Sequence, residues 1–354
     1  MPELKEVFDM VTKQAEPELD SWKQQEQKQR RTARNRRIGA FALVAAIAAI
    51  AAVVAIGAMR SDDRTRTGHV TKIREDATHV VIDLETGNVS TLPASLDGGH
   101  AYVVSPDGDE LAFAPAPEPL EGDNHIHVYI GNIDGTNVRR ATPLASGVDA
   151  VNPRWLPDGR IVFQGRNRFG ESVGDLYVLD PATGSTTKLT DLTAVPDSAH
   201  WFMSESVRPD GQTILFNLPR GANPDQGQSW DLWTIPVTGG EPTLVRRNAA
   251  HGSYSPTDST IAYLDQPTFD LENDSFGATS IWLADADGAN PRLLVEGTTT
   301  HMRYLRWSPD GTRISYFDES GVYVVDVATG DPTRIADGAA PEWLDDHTLI
   351  FERA

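Results

Sequence analysis

Four histidines recur along the chain: His100, His200, His251 and His301. Imidazole titrates near neutral pH and is the commonest metal-binding side chain, so this series is the first place to look for chemistry. Each histidine stands 5 to 9 residues ahead of a turn proline, at Pro106, Pro209, Pro256 and Pro309. With offsets that vary, the four rings need not converge. Ordinary loop histidines are the plainer reading, and no metal or cofactor is expected. The four are kept as candidate ligand-binding residues. Other chemistry leaves no trace. There is no G-x-S-x-G elbow, H-E-x-x-H pair, Walker loop or G-x-G-x-x-G run. The stretch "DADGAN", 285–290, lacks the third early carboxylate and the distal glutamate of a calcium loop. It reads as a hairpin turn. With no cysteine in the chain, disulfides, thiolate metal sites and thiol catalysis are excluded.

The elements that would position the histidines repeat. "VVSPDGDELAF" (103–113), "RWLPDGRIVF" (154–163), "SVRPDGQTILF" (206–216), "SYSPTDSTIAY" (253–263) and "RWSPDGTRISY" (306–316) each join two hydrophobic runs through a turn. "EWLDDHTLIF" (342–351) is a degraded sixth copy. From Pro106 through Pro157, Pro209, Pro256 and Pro309 to Asp345 the spacings are 51, 52, 47, 53 and 36 residues. A fixed period of this length signals a repeat architecture.

A second hairpin alternates with the first, as in "HVYIGNIDGTNVRRAT" (127–142) and "GVYVVDVATGDPTRIA" (321–336). Glycine supplies the positive φ of such turns. Tyr129, Tyr177, Trp233, Trp282 and Tyr323 hold one equivalent position, which predicts an aromatic layer between neighbouring sheets. Each repeat is thus four strands, a to d, and four-stranded units arranged around an axis are propeller blades. A lone c–d hairpin at 79–94 precedes the first a–b pair, and the last a–b pair, 342–351, has no hairpin after it. Joining these orphans closes a ring of six blades and removes the exposed edges.

The turn residues carry a family likeness. "RWSPDG" (306–311), "RWLPDG" (154–159), "LAF" (111–113), "IAY" (261–263) and "IWLADADG" (281–288) resemble the repeats of the TolB-like family of WD-type β-propellers over residues 76–354. Pro256-Thr257-Asp258 departs by lacking the glycine, and Leu344-Asp345-Asp346 lacks proline and glycine. The resemblance implies the fold. For activity it leaves several options: envelope interaction module, non-catalytic domain of a peptidase, or lyase. A peptidase would need an α/β-hydrolase domain, for which the sequence after the closing strand is expected to leave no room.

The first 59 residues are of another kind. Ile38 to Met59 is a 22-residue stretch with no charge and two glycines. As a helix it reaches about 33 Å, enough for a bilayer core of roughly 30 Å. A cleaved signal peptide fits poorly, because 37 residues precede the stretch. Lys28, Arg30, Arg31, Arg34, Arg36 and Arg37 lie before it, whereas only Arg60, Arg64 and Arg66 follow closely. The positive-inside rule then places the N-terminus in the cytoplasm and the propeller outside. Residues 1–59 carry a net +2 and the remainder −22. So acidic a domain repels nucleic acid, and none is expected as a partner.

The expected organisation is a cytoplasmic helical segment at 1–37, a transmembrane helix at 38–59, a linker at 60–75 and an all-β six-bladed propeller at 76–354. Leu4, Val7, Phe8 and Val11 form one apolar helical stripe, too small for a core, and are candidates for docking a cytoplasmic regulator. The layout resembles that of membrane-bound anti-sigma regulators, without their His/Cys zinc signature. A non-enzymatic module binding a protein or envelope ligand is the expected function. The alternative is an extracytoplasmic metal-dependent lyase or hydrolase using the histidines at the channel mouth. Long b–c loops at 114–124, 164–174, 217–229 and 265–279 point to the face they share with the histidines as the ligand face.

Overall fold

The computed structural model describes residues 77–115, 125–143, 148–166, 174–192, 203–220, 229–265, 269–270, 275–276, 279–297 and 302–353. The stripe at Leu4, Val7, Phe8 and Val11, the 38–59 stretch, His200 and His301 lie outside the described residues. Among the described residues no helix is long and apolar enough to cross a membrane.

A hairpin comes first, β1 (His79–Asp83) with β2 (Val89–Thr91). Five complete blades follow. The first is β3 (Gly99–Val104), β4 (Glu110–Pro115), β5 (Tyr129–Asn132) and β6 (Arg139–Arg140). The second is β7 (Asp149–Trp155), β8 (Ile161–Arg166), β9 (Asp175–Asp180) and β10 (Ser185–Lys188). β11 (Met203–Val207), β12 (Thr213–Arg220), β13 (Ser229–Pro236) and β14 (Thr243–Arg246) build the third. In the fourth, β15 (Ala249–Tyr254) and β16 (Ile261–Asp265) are separated from the outer strands by a small extra hairpin, β17 (Phe269–Asp270) with β18 (Ser275–Phe276). Its outer strands are β19 (Ile281–Ala284) and β20 (Arg292–Val295). The fifth blade is β21 (Arg303–Trp307), β22 (Arg313–Asp318), β23 (Gly321–Asp326) and β24 (Pro332–Ala336).

β25 (Ala339–Trp343) and β26 (Thr348–Glu352) complete the sixth blade with the first hairpin, in the order β2-β1-β26-β25. β1 pairs with β26 over five residues, His79↔Glu352 to Asp83↔Thr348. The innermost strands neighbour one another in the order β3, β7, β11, β15, β21, β25 and back to β3. The ring is closed, by strands from both ends as the orphan hairpins require. Two expected loops are shorter than the sequence suggested: β12 and β13 extend to Arg220 and back to Ser229, and the 265–279 stretch contains β17 and β18.

Local chemistry explains the blades. In the P-D-G turns the glycine adopts positive φ, +85° at Gly108 and +71° at Gly311. The preceding serines, Ser105 and Ser308, bond to Asp107 and Asp310 at 2.5 Å. Where the glycine is missing, in the fourth blade, the left-handed residue moves one place on, to Ser259 at φ 63°. The aromatic residues pair directly across strands b and c: Phe113↔Tyr129, Phe163↔Tyr177, Phe216↔Trp233, Tyr263↔Trp282 and Tyr316↔Tyr323. The Phe163–Tyr177 and Tyr316–Tyr323 rings stack at 5.3 and 5.2 Å, contacts worth about 0.5–1.5 kcal/mol beyond their buried area. Apolar side chains fill the spaces between blades. Val162, Leu176 and Val178 of the second blade, for example, meet Ile214, Phe216 and Ile235 of the third.

Every innermost strand is bulged. Its register with strand b shifts between His100 and Val103, Val151 and Arg154, Met203 and Ser206, Ala250 and Ser253, Arg303 and Arg306, and Ala339 and Glu342. Ala101, Asn152, His251, Tyr304 and Ala340 sit at these bulges with φ between 50° and 56°. A bulge inserts one residue, bends the strand and re-aims the side chains beyond it.

Candidate functional site

The bulges fix where the histidines go. His100 and His251 are not in the connecting loops, as expected, but inside β3 and β15. The added bulge residue lengthens each strand backwards over them. His251 is itself a bulge residue and is 4% exposed. Burial, with Arg306 and Arg303 adding repulsion, brings its pKa down to about 3, so the ring is neutral at physiological pH. The Tyr304 backbone N–H donates to its Nδ1 at 3.5 Å, and the two rings lie 5.9 Å apart. A change at His251 therefore acts on packing between the fourth and fifth blades. Among the described residues no group of three or more His, Asp and Glu side chains could hold a metal ion.

His100 is exposed, and its Nδ1 lies 2.7 Å from Glu352 Oε1 of the closing strand. The hydrogen bond to Glu352 raises the His100 pKa, and the same bond lowers that of Glu352. The clasp is therefore complete below the ordinary histidine value and is lost as pH rises through the raised one. At the acid end it fails as Glu352 protonates. Being exposed, it is worth at most about 1 kcal/mol. In Glu352→Gln the His100 titration followed by NMR is expected to move down towards pH 6.5. An unchanged midpoint would refute the pairing.

The side chains beyond the bulges build a second site that the histidines did not announce. Position two after each bulge carries Val103, Arg154, Ser206, Ser253, Arg306 and Glu342. Glu342 Oε1 accepts from Arg306 Nε at 2.8 Å and from Arg154 Nη2 at 3.2 Å. Arg154 and Glu342 belong to the second and sixth blades, so the contact crosses the interior of the ring. All three side chains are about nine-tenths buried. Each arginine is also anchored by its Nη1, Arg154 to Pro153 O and Arg306 to Leu305 O, both at 2.9 Å.

Directly after them come Trp155, Trp307 and Trp343. Their indole N–H groups donate to Val103 O at 3.2 Å, Ser253 O at 3.0 Å and Arg306 O at 3.0 Å, each on the preceding blade. The tryptophans thus stitch neighbouring blades at the level of the charged cluster. Together these positions surround a hollow of about 250 Å³ that draws on all six innermost strands and is bounded by Pro256 and Pro309. It is the channel at the end nearest the short turns, opposite the face the long loops had suggested. Those loops lie largely outside the described residues. Chemically the cluster combines fixed donors, one carboxylate and aromatic walls, which suits recognition.

No family model matches the sequence. A Tol-Pal system protein TolB of Francisella tularensis is 26% identical over 245 residues, 65% of this chain and 51% of that protein. The propeller is TolB-like. This chain spans about half the length of that relative. A solved structure from Agrobacterium tumefaciens assigned as a TolB shares the TolB-like fold at 15% identity and a TM-score of 0.57, covering 78% of this chain and 97% of that one. Oligogalacturonate lyase from Vibrio parahaemolyticus shares the fold at 17% identity and a TM-score of 0.50, with 75% and 74% covered. Fold alone does not choose between binding and catalysis.

Proposed function

We propose that the chain is a membrane-anchored, extracytoplasmic TolB-like propeller that binds a protein or envelope ligand and passes that state inward through its cytoplasmic segment. The observation that carries the binding reading is the channel hollow, where fixed arginines and tryptophans line a concave site on a rigid ring. Sites of that kind favour recognition because little must be ordered when a ligand arrives. The likeness to a Tol-Pal system protein supports an envelope protein as the partner. Anchoring rests on the 38–59 stretch and its basic flank, and the inward path on the stripe at Leu4, Val7, Phe8 and Val11. Of the four histidines the exposed His100 remains a ligand-binding candidate, buried His251 serves packing, and His200 and His301 are kept as candidates from the sequence alone.

Protease added to intact spheroplasts is expected to digest the propeller and spare the N-terminal segment. A protected propeller would overturn the topology. In vivo crosslinking should capture an envelope protein, and Ser253→Arg, which fills the hollow, should reduce that capture at least tenfold. Unchanged capture would move the binding surface elsewhere. The competing reading, a metal-dependent lyase or hydrolase, draws on the fold shared with oligogalacturonate lyase. Stoichiometric metal in the purified chain, lost when His200 and His301 are both changed to Ala, would favour it.

A further inference from the structure

We propose that the channel hollow recognises a single carboxylate carried on an apolar peptide segment, seated against the guanidiniums of Arg154 and Arg306. The inference rests on the reading of the propeller as a binding module and adds the chemistry of its ligand. Three features of the hollow lead to it.

The first is charge. The described residues that line the hollow include two guanidiniums, which attract an anion, and one carboxylate, which repels it. A monoanion gains from both guanidiniums at the smallest repulsion from Glu342. A phosphate dianion would meet that carboxylate with twice the charge. Polyanions are further disfavoured by the −22 of residues 60–354.

The second is pre-organisation. Arg154 and Arg306 each spend one Nη on a backbone carbonyl and converge on the same oxygen, Glu342 Oε1. Their planes are held before any ligand arrives, and fixed guanidiniums suit the planar carboxylate. The hydroxyls of Ser206 and Ser253 stand in the same ring of positions and offer further donors.

The third is the wall. Trp155, Trp307 and Trp343, with Pro256 and Pro309, present aromatic and apolar surface around the charged floor. A free small ion would leave that surface unused. An aspartate, glutamate or terminal carboxylate beside an apolar side chain fills both parts, and a hollow of about 250 Å³ admits a group of that size.

The test uses the full-length chain in detergent at low ionic strength, titrated calorimetrically with N-acetylphenylalanine, its neutral amide and inorganic phosphate. The carboxylate should bind saturably, at least tenfold more tightly than the amide and more tightly than phosphate. Arg306→Gln should weaken it at least tenfold. Because that variant loses a buried group, Glu342→Gln is the second arm: it removes the competing carboxylate, keeps the shape, and should tighten binding several-fold. Equal affinity for acid and amide, preference for phosphate, or weaker binding in Glu342→Gln would overturn the inference. A chain that captures its envelope partner yet ignores the carboxylate would overturn this inference alone and leave the binding reading standing.

Discussion

Removing residues 76–95 from a soluble 60–354 fragment abolishes its cooperative thermal transition. The expectation follows from the closing blade. β1 supplies the third strand of that blade and shares five residue pairs with β26. Without it β26 becomes an open edge, a template for pairing with other chains. The same deletion removes Leu92, which is 3% exposed and packs with Leu96, Tyr102, Leu111, Phe113 and Ile350 against the first blade. A domain stable by about 5–15 kcal/mol cannot lose a sheet and part of an interface together. Circular dichroism melts of the two fragments check it. A deleted fragment that melts cooperatively near the parent temperature would mean that the ring closes in another way.

Glu342→Leu is expected to cost about 3–5 kcal/mol, the range for breaking a buried ion pair by removing one partner. Both guanidiniums would stay fixed to their backbone carbonyls, about nine-tenths buried, with their shared acceptor gone. The three side chains keep about a tenth of their surface exposed, which favours the lower end of the range. Glu342→Gln keeps an acceptor oxygen and should cost less than half as much. Urea unfolding of the two variants supplies the comparison, and near-equal losses would show that shape, not charge, holds the cluster.

The ring was legible because its turns are chemically demanding. A Pro-Asp-Gly turn fixes one φ negative and the next region positive, and few residues substitute, so the period survived in the letters. The orphan hairpins disclosed the closure for the same reason. The bulges were hidden. Ala101, Asn152, His251 and Tyr304 all take left-handed φ, yet they share no side-chain type, because the surrounding ladder imposes the conformation. Missing the bulge put His251 in a loop when it is a buried strand residue. The charged cluster was half legible. Arg154, Arg306 and Glu342 each stand immediately before a tryptophan of the turn motif. Successive residues of a strand face opposite sides, so a tryptophan wedged against the neighbouring blade sends the residue before it towards the axis. That argument needed only the strand assignment. What no single sequence could provide was the contact across the ring between Arg154 and Glu342, 188 positions apart.

The closure by β1 also has a mechanical side. Tension reaching the propeller along the segment before residue 77 enters at His79, the first residue of β1 and the partner of Glu352. A pull directed along the strand meets bonds to β26 and β2 that run across it. The load is therefore shared as shear over the whole pairing instead of unzipping it one bond at a time. β1, which completes the ring, is also the first strand after the N-terminal segment. A force large enough to slide β1 free would open the sixth blade first and expose β26, the strand next to the one that carries Glu342.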